Sequence, residues 1–396
     1  MSALSHSGFR AYFFAAVPVV QALWAQRVTL GWLAWDVSHS AAFVGFIAAL
    51  GLLPTIFAGP VFGVLVDRAD IRRALMMTSG SMAAVLAVAA LVAGGPGLGR
   101  WGLAAVAFTV GLITAAHHPV RMSLGPRLVP RADVPNVVAL SALNFNMGRM
   151  VGPVLTGVMI AAFGAVTTLW LSAALYLPML AAIRWMDPRP LPAAPRAGLM
   201  QGIGEGLRYL AATPVARHAM VLTAAIAVLV RGYLELLPVM AEGVHDKGAA
   251  GLGLLTAAAG AGALAAALAK TAGAGQGGIP PVTRAVLLGG IASLACLGLS
   301  SSWHAALAWT AVLGFASTFC GVGLQAAVQE DLSDHLRGRV MSLWVVVGIG
   351  AVALGSGAIG LLAGVFGLST VLLWSGLGGT LVAAALVLPS PARRST

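Results

Sequence analysis

Four ionisable residues stand inside long apolar runs: Arg27, Arg149, Arg231 and Glu235. A charge in such a setting is expensive and marks an ion pathway, a proton relay or a pair with another charge. Arg231 and Glu235 are four residues apart, which puts them on one face of a helix and within reach of each other. A buried pair of this kind need not add stability. Two readings of Glu235 therefore stay open, a carboxylate that takes up and releases a proton and a structural ion-pair partner. Asp36, at the far end of the first apolar run, is a second acid that could carry a proton, and Asn144, Asn146 and Tyr233 supply neutral polar groups at similar depth.

Other chemistry has little support. His117 and His118 are adjacent, so they point to different helix faces, and no acidic or cysteine partner is nearby in sequence; no metal site is expected. Cys296 and Cys320 fall in apolar runs and imply neither a disulfide framework nor a zinc site. Gly273 to Gly278 fits Gly-x-Gly-x-x-Gly, but no strand precedes it and no acid follows at the required distance, so it reads as a loop. Lys270-Thr271 lacks the glycine of a phosphate-binding loop. With no nucleophile and base set, no enzyme and no cofactor are expected.

The elements that must hold these residues are membrane helices. Hydrophobic residues make up 59% of the 396-residue chain, charged residues only 9%, and mean hydropathy is +0.93. A span takes about 20 mainly apolar residues, and backbone in lipid must satisfy its own hydrogen bonds, so the runs are helices. The length accommodates about twelve, giving an all-α polytopic membrane protein. The net charge of +11 lies in the loops, as the positive-inside rule requires, and does not point to nucleic acid. The first run is too long for a signal-peptide core and is expected to stay as the first helix. A polar, proline-rich connector from Asp187 to Arg217 divides the chain nearly in half, and Gly202 to Ala212 within it has the pattern of a surface amphipathic helix. The expected divisions are 1–186, 187–217 and 218–396. Leu140-Ser141 and Met341-Ser342 close two similar loops, a weak sign of internal repetition.

Two local patterns say more. Gly63-Val-Leu-Val-Asp67-Arg68-Ala-Asp70-Ile-Arg72-Arg73 packs five charges between two apolar runs. Gly148-x-x-x-Gly152-Pro153-x-x-Thr156-Gly157 puts small residues along one helix, where they permit close helix contact, and Pro153 removes a backbone hydrogen bond. The first resembles the loop between the second and third helices in the major facilitator superfamily of secondary transporters. Its Asp-Arg-x-Asp form is similar to the exporter branch that includes the enterobactin exporter and drug exporters. The second resembles that superfamily's antiporter motif, with Thr156 in place of one usual glycine.

The resemblance implies two pseudo-symmetric six-helix bundles around a cavity that opens alternately to each side. It assigns gating to Gly63, Asp67, Arg68, Arg72, Arg73 and Arg121, with Arg121 as partner of the hinge aspartate. Three intramembrane arginines against one nearby glutamate imply an electropositive cavity. The expected function is proton-coupled efflux of an amphiphilic small molecule, anionic or zwitterionic, siderophore-like or lysophospholipid-like. Uptake or facilitated diffusion, and a non-transporting sensor or scaffold, remain alternatives because fold does not fix function. The expected partners are a small-molecule substrate, protons and membrane lipids. The expected form is a monomer in the inner cell membrane with both termini cytoplasmic.

Overall fold

The computed structural model of the chain describes residues 2–68, 70–189, 199–271, 279–330, 332 and 334–387. Among these the regular structure is helical throughout. The first half runs α1 (Ser7–Ser38), α2 (Ala41–Arg68), α3 (Ile71–Gly94), α4 (Arg100–Arg127), α5 (Val134–Ala174) and α6 (Leu177–Ala182). The second half runs α7 (Leu199–Ala212), α8 (Pro214–Ile226), α9 (Gly232–Leu234), α10 (Gly248–Thr271), α11 (Pro281–Leu299), α12 (Trp303–Gln329), α13 (Asp334–Phe366) and α14 (Leu368–Val387). Eleven stretches are long and apolar enough to span a membrane, the longest being the 55 residues Arg131–Trp185. That stretch bends at Gly164, whose φ of 80° and ψ of 164° only glycine adopts readily, so it makes two passes and brings the total to twelve.

Local chemistry explains the ends. At His39 the chain turns into the left-handed region and donates its N–H to the Trp35 carbonyl, closing α1. The Asp70 side chain accepts from the N–H groups of Arg72 and Arg73 at 2.9 and 3.3 Å and starts α3. One boundary differs from expectation. The prolines after Arg121 predict a loop, yet α4 continues to Arg127 with Pro119 and Pro126 inside it. Packing overrides the proline cost here: Leu124 and Gly125 are buried against α1 and α5.

In the first half α1 packs on α5, and α4 on α2 and α3; in the second, α10 and α11 pack on α12 and α11 on α14. Among the described residues the broadest contacts between the halves are α2 with α13 and α5 with α10. Glycines make the helix contacts close, because lipid offers no hydrophobic drive and association rests on fit. Gly262 and Gly314 seat α10 on α12: a Cβ on Gly314 would lie 2.8 Å from the Cα of Ala259. Gly314→Val is expected to lower stability by about 1–3 kcal/mol through overpacking. The melting temperature of the purified protein checks this, and an unchanged value would contradict the packing.

The amphipathic connector helix is present as α7. It docks on α13: Glu205 pairs with Arg339, and a Cβ on Gly206 would lie 2.8 Å from the Leu343 side chain. The loop 273–278 lies outside the described residues.

Candidate functional site

The intramembrane charges meet where α1 passes α9. Arg27 Nε donates to Glu235 Oε2 at 2.9 Å, and its Nη2 donates to Oε1, a two-pronged clasp between guanidinium and carboxylate. The residues come from opposite halves of the chain, so the pair ties the halves together. Arg27 is 37% exposed and Glu235 17%, so neither charge is sealed in the protein core. The Arg27 guanidinium also lies 5.8 Å from the Trp24 ring centroid, within cation–π range.

This is not the pair that spacing predicts. Glu235 engages Arg27 across the halves, whereas Arg231 donates to the Ser317 hydroxyl at 3.1 Å and to the Ser317 carbonyl at 3.3 Å. The reason is local backbone. Ala227–Arg231 forms a π-helical turn, and the N–H groups of Glu235 and Leu236 bond three residues back to Gly232 and Tyr233. The tightened turn after Gly232 rotates Glu235 away from the four-residue register on which the expected pairing rests. Gly321 on α12 clears the space for Arg231: a Cβ there would lie 2.5 Å from its Nη2.

The other candidates divide. Arg149 is half-buried and its charge acts on Arg231, as does that of Arg27, so three cations share this region. Asn144 is buried on α5, while Asn146 is exposed and donates to the Ala142 carbonyl at 2.9 Å, a bond within its own helix. Tyr233 is fully buried in the apolar core. Asp36 sits nine residues beyond Arg27 toward the end of α1, where it lines a cavity of about 300 Å³ with Trp32, Leu33, Val37 and Leu98.

The small residues of α5 look in two directions. A Cβ on Gly152 would lie 2.8 Å from Trp24 Cβ, and Gly148 has no room for one beside Val20, so this face holds α1 and the Trp24 that flanks Arg27. Gly157 lies so close to the backbone of Gly253 on α10 that a side chain on it would collide. Thr156, buried, bonds to the Gly152 carbonyl at 2.7 Å, a helix-internal bond that hides its hydroxyl next to Pro153. The α5 motif thus packs against α1 with one face and against α10 of the other half with the other.

Close approaches between the halves gather toward one end of the molecule. There Gly45 packs on the Ser356 backbone, a Cβ on Gly360 would lie 2.7 Å from the Ala41 carbonyl oxygen, and one on Gly243 would lie 2.5 Å from Trp35. Gly157 and Gly253 lie toward the same end. The charged hinge is at the opposite end, at the close of α2. Gly63 is in α2, and the side chains of Asp67 and Arg68 lie outside the described residues, as does the expected bond from Asp67 to Arg121. Arg72 donates to the Ile183 carbonyl at 3.1 Å, tying the hinge to the end of the first half. Arg73 meets Asp70 at 3.5 Å, but both side chains are exposed and the pair adds little. Arg121 receives the Tyr12 hydroxyl on its carbonyl at 3.1 Å.

Sequence reasoning missed a buried polar chain beside the clasp. His117 Nδ1 meets the Thr78 hydroxyl at 3.0 Å, its ring packs edge-on against Tyr176 at 6.2 Å, and the Tyr176 hydroxyl donates to Gln26 Oε1 at 3.2 Å. Gln26 was legible as an amide in an apolar run. Ser317 was not, because nothing separates it from other small residues there. His118 is exposed, so the two histidines diverge.

Three comparisons bear on this arrangement. The sequence pattern of the family described as transmembrane secretion effector matches residues 1–394. The multidrug efflux pump Tap of Mycobacterium tuberculosis is 30% identical over 193 residues, covering 46% of each chain, so the match spans about half the length of that relative. The enterobactin exporter EntS of Escherichia coli is 24% identical over 371 residues, 89% of this chain and 84% of that one. Among solved structures, a bacterial homolog to the human lysosomal transporter Spinster, inward-facing and unoccupied, superposes with a TM-score of 0.74 at 16% identity, covering 96% of both chains. The nucleoside transporter NupG superposes at 0.68 with 14% identity, over 95% of this chain and 98% of that one. At these identities the structural likeness speaks for the fold alone.

Proposed function

Given that the chain belongs to the transmembrane secretion effectors of the major facilitator superfamily, we propose that it exports an amphiphilic small molecule in exchange for protons. The fold is that superfamily's, with two six-helix bundles, and relatives named as an efflux pump and as an exporter support the export reading. The carrying observation is the clasp of Arg27 and Glu235, a breakable charge pair between the halves that must move relative to each other.

The exchange logic narrows the substrate. Antiport requires proton and substrate to exclude one another. A zwitterion whose cationic group sits on the Glu235 carboxylate, and whose anionic group sits on Arg27 or Arg231, competes with a proton for Glu235. A pure anion competes instead with Glu235 for Arg27; it binds best when Glu235 is protonated, and that is cotransport. Of the two classes read from the charge balance, the zwitterion fits export. An anion would argue for proton-coupled uptake, the second reading that this geometry can support.

Orientation follows from charge. Arg10, Arg72, Arg73, Arg127 and Arg184 gather at the hinge end, and the positive-inside rule puts that end in the cytoplasm, with both termini. The end where the halves approach closely is then external in this reading, which supports a state closed toward the outside. The moving units in this reading are residues 1–186 and 218–396, joined by 187–217, and the carrier works as a monomer in the inner membrane.

The test is uptake into inside-out vesicles of a zwitterionic, an anionic and a cationic amphiphile, with and without an imposed proton gradient. Gradient-driven accumulation of the zwitterion is the expected result. Movement of the anion only with the gradient, in the same direction as protons, would replace export by uptake. If no class moves while the protein stays folded, the transport reading falls and a sensor or scaffold takes its place.

A further inference from the structure

Away from the clasp, the start of α1 and the turn after α6 flank an open groove of about 500 Å³, lined by Ser7, Arg10, Ala11, Phe14 and Trp185. The α1 residues fall at positions i, i+3, i+4 and i+7, a single stripe along one helix face. That stripe changes character along its length, from hydroxyl and guanidinium at the end of the helix to methyl and phenyl deeper in. Seven residues at about 1.5 Å rise cover about 10 Å, comparable with the step from a lipid headgroup to its acyl chains. Phe14 is 62% exposed and Trp185 55%, so both rings face away from the protein core.

Arg10 lines this groove, and Arg184 adjoins its Trp185 wall. The Arg184 guanidinium lies over the Trp185 ring at 3.9 Å, which holds it in place while leaving its N–H edge open. Among the described residues neither the Arg10 nor the Arg184 side chain has a carboxylate or a hydrogen-bond acceptor. Nearby acid is committed or set apart: Asp133 bonds His6 at 2.8 Å, and Asp187, beyond Trp185, is exposed and makes no ion pair among the described residues. The turn itself is anchored, since Arg72 bonds the Ile183 carbonyl and Gly8 brings α1 against the Trp185 carbonyl, where a Cβ would lie 3.6 Å away.

We propose that this groove is a seat for one anionic phospholipid, whose phosphate bridges Arg10 and Arg184 and whose acyl chains lie on Ala11, Phe14 and Trp185. Charge selects the occupant. Two free guanidiniums favour a net negative headgroup, and the apolar stripe beneath them has no use for a free inorganic anion. The seat joins α1, which carries Arg27, to the end of the first half, so an occupied seat braces the helix that bears one arm of the clasp.

Native mass spectrometry of the purified full chain tests this, with phosphatidylglycerol and phosphatidylcholine titrated at equal concentration. The wild type should retain phosphatidylglycerol preferentially. Arg10→Gln with Arg184→Gln should weaken that retention about tenfold or more, from the two lost cation contacts, and leave phosphatidylcholine unchanged. Equal retention of both lipids by the wild type, or an unaltered double variant, overturns the proposal. So does displacement of the bound lipid by millimolar inorganic phosphate, which would make the seat a simple anion site. Quenching by brominated phosphatidylglycerol gives a second reading that needs neither arginine variant. Trp185→Phe should lower the quenched fraction, and an equal fraction in both proteins rejects the seat.

Discussion

Replacing Glu235 by Gln is expected to reduce proton-driven transport at least tenfold while leaving a folded protein. The substitution keeps shape and removes charge, so Arg27 loses its two-pronged partner and no carboxylate is left in the clasp to exchange a proton. For a fully buried pair the loss of one partner costs about 3–5 kcal/mol. Here Arg27 is 37% exposed, so a smaller cost, about 1 kcal/mol, is expected. A double variant separates the roles. If the penalty of Glu235→Gln is an unpaired Arg27, then Arg27→Gln in the same chain should restore stability, because neither charge remains to be satisfied. Transport should stay lost, since the proton site is still missing. The measurements are melting temperature and counterflow in vesicles with an acid lumen. Glu235→Gln that still accumulates substrate against a proton gradient would remove Glu235 from the coupling mechanism.

The second large effect is expected at Gly157. Its Cα approaches the backbone of Gly253 so closely that no side chain can stand between them, and backbone cannot rotate away as a flexible side chain would. Gly157→Leu should therefore deny α5 and α10 their closed arrangement and push the carrier toward the state open at that end. Moving a two-state equilibrium from 1:99 to 99:1 takes about 5.5 kcal/mol, within reach of a backbone collision reinforced by the neighbouring helix faces. Spin labels at Trp101 and Leu299, both exposed at that end on opposite halves, report the change as a longer distance. An unchanged distance distribution, with transport intact, would mean that the halves part elsewhere and the α5 glycines serve packing alone. Gly152→Leu is a useful contrast. It meets the Trp24 side chain inside the first half, so it should disturb the clasp without lengthening that distance.

Much of the molecule was legible in the residues themselves. Hydropathy alone forces helices, because lipid gives the backbone no other partner, and the twelve passes follow from run length. The hinge and the α5 pattern pointed to the superfamily whose sequence pattern the chain matches along residues 1–394. The four intramembrane charges stood out because each is costly in its run.

What the one-dimensional pattern did not determine is who meets whom. Helical spacing joined Glu235 to Arg231; in the fold Ser317 takes Arg231, and Arg27, 208 positions away in the chain, takes the carboxylate. The prolines after Arg121 suggested a loop, yet α4 ran on to Arg127 through Pro119 and Pro126 because its far end is buried. Gly157 and Gly253 looked like two among 50 glycines until the helices were set side by side. The division has one physical cause. Transfer into lipid is a property of each segment taken alone, so composition determines it, whereas pairing and close approach depend on the relative rotation and depth of distant helices, which only the assembled tertiary structure decides.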